Sequence, residues 1–144
     1  MKLPLLSLVA LLSAHIAFAQ PFNYEIHLEP VSIDNLDGTH SYAFGQHNGK
    51  WLIIGGRKDG LHARQPFNAF PEALNNKEMM VVDPISKQVW SANMTELNQS
   101  ISEQLQSTNM CFHQIEDTLY IAGGYAYSAS QADHITFPYL TTII

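Results

Sequence analysis

The stretch Ser41-Tyr-Ala-Phe-Gly-Gln-His-Asn-Gly-Lys-Trp-Leu-Ile-Ile-Gly-Gly56 recurs, 68 residues further on, as Asn109-Met-Cys-Phe-His-Gln-Ile-Glu-Asp-Thr-Leu-Tyr-Ile-Ala-Gly-Gly124. At that offset Phe44 falls on Phe112, Gln46 on Gln114, Ile53 on Ile121, and Gly55-Gly56 on Gly123-Gly124. Each copy reads as strand, tight turn, strand, with Asn48-Gly49 and Glu116-Asp117 at the turns. The second strands, Trp51 to Ile54 and Leu119 to Ala122, are almost wholly apolar, as expected of strands covered on both faces. A double glycine ends each one, because glycine permits positive φ and close backbone approach.

Outward from the first copy, a loop from Arg57 to Asn76, punctuated by Gly60, Pro66 and Pro71, leads to the apolar strand Glu78-Met-Met-Val-Val-Asp-Pro84. A shorter strand, Lys87 to Ser91, carries Trp90. Four strands in meander order are thus expected over 41–91. The stretch Asn93 to Gln106 predicts one helix: Asn93 with Glu96 resembles a capping box, and Leu97, Ile101 and Leu105 form a stripe that would pack on the sheet. Asn93-Met-Thr95 and Asn98-Gln-Ser100 on that helix match the glycosylation sequon, which matters only in a eukaryotic host. In the second copy, Tyr139-Leu-Thr-Thr-Ile-Ile144 matches the start of a third strand aligned with Met79 to Val82.

The ordered set Trp51-Leu-Ile-Ile-Gly-Gly56, Met80-Val-Val-Asp-Pro84 and Trp90, with Leu119-Tyr-Ile-Ala-Gly-Gly124 opening the next copy, resembles the kelch motif of β-propellers over 41–144. The wording from Gly56 through Pro138 is also similar to exported bacterial kelch-type proteins of unassigned function. The resemblance implies an all-β fold, a kelch-like β-propeller fragment: one four-stranded antiparallel blade at 41–91, a helical connection at 92–107 and a partial second blade at 108–144. Residues 20–40 would be a linker or edge strand. A ring takes about four to eight blades, so the remaining blades are expected outside this chain. The rival expectation is a blade pair that completes itself by oligomerising. The 68-residue repeat exceeds the ~50 usual for kelch; the excess lies in the Arg57 loop and the Asn93 helix.

The chain has 144 residues, 46% hydrophobic and 14% charged, with a net charge of -6. These proportions suit a globular domain and exclude a collagen, a coiled coil or a disordered tail. No basic run offers a footprint for nucleic acid or anionic lipid. Lys2, the apolar run from Leu3 to Phe18 and the small residues of Ala17-Phe18-Ala19 read as a signal peptide over 1–19, cleaved before Gln20. Cleavage would remove one lysine and no acid. The expected product is secreted, periplasmic or at the cell surface, without membrane insertion after signal cleavage. The single cysteine, Cys111, forms no intramolecular disulfide and is expected to be buried and unreactive.

In a blade whose strands alternate in direction, the loop after the second strand and the connection after the fourth emerge on one face. The loop Arg57 to Phe70 concentrates Arg57, Lys58, His62 and Arg64 with Phe67 and Phe70, and its counterpart offers Tyr125, Tyr127, Asp133 and His134. A guanidinium matches a carboxylate and aromatic faces stack on sugars or peptides. Arg57, His62, Arg64, Tyr125 and His134 are therefore the candidate ligand-binding residues. The histidines show no metal-ligand spacing, so no metal is expected, and no cofactor motif or nucleophile elbow is present. The reading is a binding module for a glycan or protein ligand. The alternative is an enzyme, since kelch-like propellers include sialic-acid epimerases and copper-dependent galactose oxidases; no catalytic residue can be assigned for it.

Overall fold

The computed structural model describes residues 24–60 and 70–144 and divides the chain into two units, Met1–Pro30 and Val31–Ile144. The expected signal peptide lies outside the described residues. Tyr24 to Pro30 carry no regular secondary structure. All that follows concerns the second unit.

Its described residues form two antiparallel sheets of four strands each. The first is a meander of β1 (Ala43–His47), β2 (Lys50–Ile54), β3 (Glu78–Asp83) and β4 (Gln88–Asn93), in the sequential order expected. In the second, β5 (Thr108–Ile115) pairs with the long β6 (Thr118–Ser128), whose other edge takes both β7 (Asp133–Thr136) and β8 (Leu140–Ile143). Leu140 to Ile143 stand in the register expected of a third strand: Ala122 faces Leu140 as Ile54 faces Met79. The stretch from Tyr125 to His134, read as a loop, is instead the far half of β6 and its turn into β7. Tyr125 and Tyr127 are held there opposite Thr136 and His134.

The repeat survives in backbone geometry as well as in residue type. Left-handed φ recurs 68 residues apart at Ser41 and Asn109 (56° and 57°), Asn48 and Glu116 (48° and 51°), Gly55 and Gly123 (63° and 70°), and Gly56 and Gly124 (83° and 98°). Space as well as φ demands glycine at three of these. A Cβ on Gly55 would run into the Leu105 carbonyl, one on Gly56 into the His40 carbonyl, and one on Gly124 into Ser107 Oγ. The interruption at each glycine pair exposes two carbonyls to one side-chain amide. Asn76 Nδ2 donates to Gly55 O and Glu78 O (3.1 and 2.9 Å), whereas at the equivalent carbonyls of Gly123 and Tyr139 the donor is Gln104 Nε2 (3.3 and 2.9 Å). Both amides are fully buried, so the same requirement is met from the segment just before β3 in one copy and from a helix in the other.

That helix, α1 (Gln99–Leu105), is shorter than the expected 93–106. Strand β4 runs on to Asn93, whose side chain caps a single 3-10 turn, Met94–Glu96, by accepting from Thr95 N. Asn98 then caps α1 in the same way, accepting from Ser100 N and Oγ. Each Asn-x-Ser/Thr triplet thus forms its own cap, and the second cap restarts the helix at a new phase. For that reason the Leu97, Ile101, Leu105 stripe is not the packed face. Leu105 is buried, but Leu97 and Ile101 are about two-fifths exposed (43% and 40%).

The sheets pack face to face through Ala43, Ile54, Met94, Leu105, Met110, Leu119 and Ile121. On its other face sheet 1 has a second core, Ile53, Met80 and Val82, against which Ile33, Leu36, Tyr42, Phe44 and Val89 pack. So β2 is covered on both faces around Ile53 and Ile54, whereas Trp51 near its start stays 37% exposed. Cys111 is exposed, contrary to expectation: its neighbour Met110 turns into the core, and strand alternation sends Cys111 to the outward face of sheet 2.

Candidate functional site

Three of the five candidate residues are brought together, and Phe70 joins them. Beyond each glycine pair the ladder continues equivalently: Arg57 pairs with His40 and Asn75, and Tyr125, 68 residues on, pairs with Thr108 and Thr136. Arg57 and Tyr125 therefore occupy one geometric position in two copies. The Tyr125 ring meets the Phe70 edge (centroids 5.2 Å, 82°) and stacks on His134 (5.9 Å, 24°), which in turn meets Tyr127 (5.5 Å, 71°). His134 Nε2 lies 3.1 Å from the Phe70 carbonyl. The Arg57 guanidinium sits over the opposite partner in this chain of rings, 5.2 Å from the Phe70 centroid. Phe70 itself adopts φ 58°, an uncommon conformation for a bulky side chain that its ring and carbonyl contacts hold in place.

Arg57 is the candidate whose role differs from expectation. Only 1% of it is exposed. Nε and Nη2 donate to the two carboxylate oxygens of Asp59 (2.7 and 2.8 Å), Nη1 donates to Asn75 Oδ1 (2.8 Å), and both Nη atoms reach the Pro71 carbonyl (3.4 Å). All five N–H groups are engaged, leaving no donor for a ligand. This side chain instead fastens the two ends of the 60–70 loop to β2, and the fork of the guanidinium is what allows it to hold both. The hydrogen bonds from Arg57 hold the Asp59 carboxyl below the ordinary aspartate range, against the opposing effect of burial. His40 Nε2 completes the cluster at 2.7 Å from the Asp59 carbonyl.

His62 and Arg64 lie outside the described residues; Gly60 and Phe70 bracket them. Tyr125, Tyr127 and His134 are half-buried, each with part of its surface open to solvent. Around the β6–β7 turn, Glu103 of α1 accepts from Ser128 Oγ, Ser130 Oγ and Ser130 N (2.6, 3.0 and 3.2 Å). Burial raises its pKa, but these bonds and one from Gln99 outweigh that and leave it lowered. The platform bearing Tyr125 and Tyr127 is thus clamped to the helix. Sequence reasoning did not single out Phe70, Tyr127, Asp59 or Asn75 as site residues. Their composition was visible, but the left-handed turn at Phe70 that folds the loop back on Tyr125 has no glycine to announce it.

Among the described residues no group of three or more His, Cys, Asp or Glu could hold a metal ion, and no helix is long and apolar enough to cross a membrane. The chain matches no protein-family model and no curated protein.

Proposed function

We propose that this chain is part of an exported kelch-like propeller that binds a glycan or protein ligand at the end of the sheets formed by Phe70, Tyr125, Tyr127 and His134. The observation that carries the reading is the convergence of the end of the first repeat's loop on strands β6 and β7 of the second: the Phe70 carbonyl on His134, and the Phe70 ring on Tyr125. Rings fixed in mutual edge and stacking contacts offer rigid faces to a sugar or peptide at little entropic cost. A radial arrangement is supported by contacts between a residue and its own counterpart. Gln114 Nε2 donates to Gln46 O and Gln46 N donates to Gln114 Oε1 (2.7 and 2.8 Å), and Asn109 N donates to Ser41 O (3.0 Å). When two copies are related by a rotation, only positions near the axis can touch their own equivalents. Strands β1 and β5 would therefore lie innermost, as the first strands of propeller blades do.

With Arg57 buried, charge recognition falls to His62, Arg64 and His134, and the weight of the proposal shifts from anion binding toward aromatic stacking. Binding of the protein to an immobilised panel of neutral and acidic oligosaccharides, and to peptides, tests this. The Tyr125→Ala, His134→Ala double variant should lose binding while melting as a folded protein. Retained binding by that variant would place the site elsewhere.

A further inference from the structure

The contact between His134 and the first repeat fixes where the imidazole proton sits. Nε2 lies 3.1 Å from the Phe70 carbonyl. A carbonyl oxygen can only accept, so Nε2 bears the proton, and in the neutral ring Nδ1 is then an acceptor. No described residue donates to Nδ1. Strand register sets His134 opposite Tyr127 and Thr136 opposite Tyr125, so these four side chains share one face of sheet 2, while Ala126 and Ser128 are buried on the other. The phenol groups of Tyr125 and Tyr127 and the Thr136 hydroxyl likewise have no hydrogen-bond partner among the described residues, and none of the four side chains is buried.

This face presents no uncommitted cation among the described residues. Arg57, over the Phe70 ring, has every N–H engaged, and Lys58 is paired with Asp37 (3.1 Å). The charge beside His134 is negative: Asp133 is exposed, and its Oδ1 accepts from His134 N (2.7 Å). A polar group that meets Nδ1 must therefore donate, whereas an anion would meet an acceptor next to a carboxylate. The neighbouring rings call in addition for a flat apolar face. A neutral pyranose supplies both, with hydroxyls that donate around its rim and a C–H face that lies against an aromatic ring. A peptide main chain alternates each N–H with a carbonyl that Nδ1 would oppose.

We propose that the ligand is an uncharged carbohydrate and that His134, as the Nε2–H tautomer, selects it by accepting a sugar hydroxyl at Nδ1. This rests on the reading that Phe70, Tyr125, Tyr127 and His134 form the binding site, and it narrows that reading to one class of ligand. The imidazole is oriented beforehand by the Phe70 carbonyl, the stacked Tyr125 ring and the Tyr127 edge, so little ordering accompanies binding.

Long-range proton–nitrogen correlation spectra of the labelled full chain in mildly alkaline buffer read the tautomer without any substitution. A protonated Nε2 and an unprotonated Nδ1 are expected; the reverse would overturn the inference and leave the site reading standing. Binding of the full chain is then measured on immobilised neutral oligosaccharides, on the same sugars with primary alcohols oxidised to uronic acids, on their O-methylated forms, and on peptides. The neutral sugars should bind, and the uronic and O-methylated forms should bind at least about tenfold more weakly. His134→Phe keeps a ring against Tyr125 and Tyr127 but has no nitrogen. It should bind the neutral sugars about tenfold more weakly and lose the preference for free over methylated hydroxyls, whereas a purely structural residue would shift both forms alike. Uronic forms or peptides that bind as tightly as the neutral sugars, in a manner abolished by Tyr125→Ala, would overturn the inference with the site intact. Binding that survives Tyr125→Ala, or no binding to any of these probes, would overturn the site reading and the inference with it.

Discussion

Replacing Arg57 with alanine should destabilise the protein rather than weaken a ligand contact. The substitution removes two charge-assisted hydrogen bonds to Asp59 and one to Asn75, and leaves a carboxylate with only 12% of its side chain exposed facing no guanidinium, with the His40 imidazole 3.6 Å away as its remaining partner. Breaking a buried ion pair from one side costs about 3–5 kcal/mol. The remaining exposure of Asp59 lets water recover part of that, so the lower end, about 3 kcal/mol, is expected. Against a total stability on the order of 5–15 kcal/mol, such a loss is easily read as a lower midpoint in urea denaturation followed by circular dichroism. Arg57→Lys keeps the charge but cannot hold Asp59 in a fork and reach Asn75 together, so it should fall between the two. The pH dependence has a definite sign. Because Arg57 lowers the Asp59 pKa from 3.8, the stabilisation is present above the ordinary aspartate range and is lost as pH falls below it through the folded value. Arg57→Ala should therefore lose less further stability on acidification than the unaltered protein does. An unchanged midpoint combined with weaker oligosaccharide binding would refute this reasoning and return Arg57 to the ligand site.

Gly124→Ala and Gly55→Ala should each cost about 2–5 kcal/mol, from the left-handed conformation and from a Cβ driven against Ser107 or the Leu105 carbonyl, while Gly38→Ala, with nothing within 4 Å, should be close to neutral in the same denaturation assay. Gln104→Ala should destabilise by about 1–3 kcal/mol by removing the amide's bonds to the Gly123 and Tyr139 carbonyls, the latter keeping its bond from Gly123 N, and the partner of Thr141 Oγ1, and amide hydrogen exchange should quicken around Gly123 rather than around Gly55, which has Asn76. Intact mass of the exported protein should begin at Gln20; retention of Met1 in the exported fraction would contradict export by a cleaved signal.

The four strands of sheet 1, the third-strand register of Leu140 to Ile143 and the need for both glycine pairs were legible because each depends on local pattern: alternation, turn chemistry and φ. The helix start was misplaced because two Asn-x-Ser/Thr caps compete five residues apart, and pattern alone does not say that the first closes only a 3-10 turn. The loop reading of Tyr125 to His134 failed because β6 keeps a single register with β5 through the glycine pair, Met110 facing Gly123 and Thr108 facing Tyr125, so the strand continues past glycines that resemble an ending in sequence. At the site, Tyr125 and His134 were found as a pair, but the burial of Arg57 was not. Its partners, Asp59 two residues away and Asn75 eighteen away, form a cage only once the loop ends are closed. A cationic residue beside aromatic ones reads the same whether it faces a ligand or its own aspartate.

The contact of each repeat with its own counterpart is tested most directly by nuclear Overhauser effects in the labelled protein. Cross-peaks are predicted from the Gln114 side-chain amide to Gln46 and from the Asn109 amide proton to Ser41, with none between β4 and β5 as paired strands. A pattern of close contacts along β4 and β5, joining the two sheets edge to edge, would contradict the stacked arrangement and with it the propeller reading.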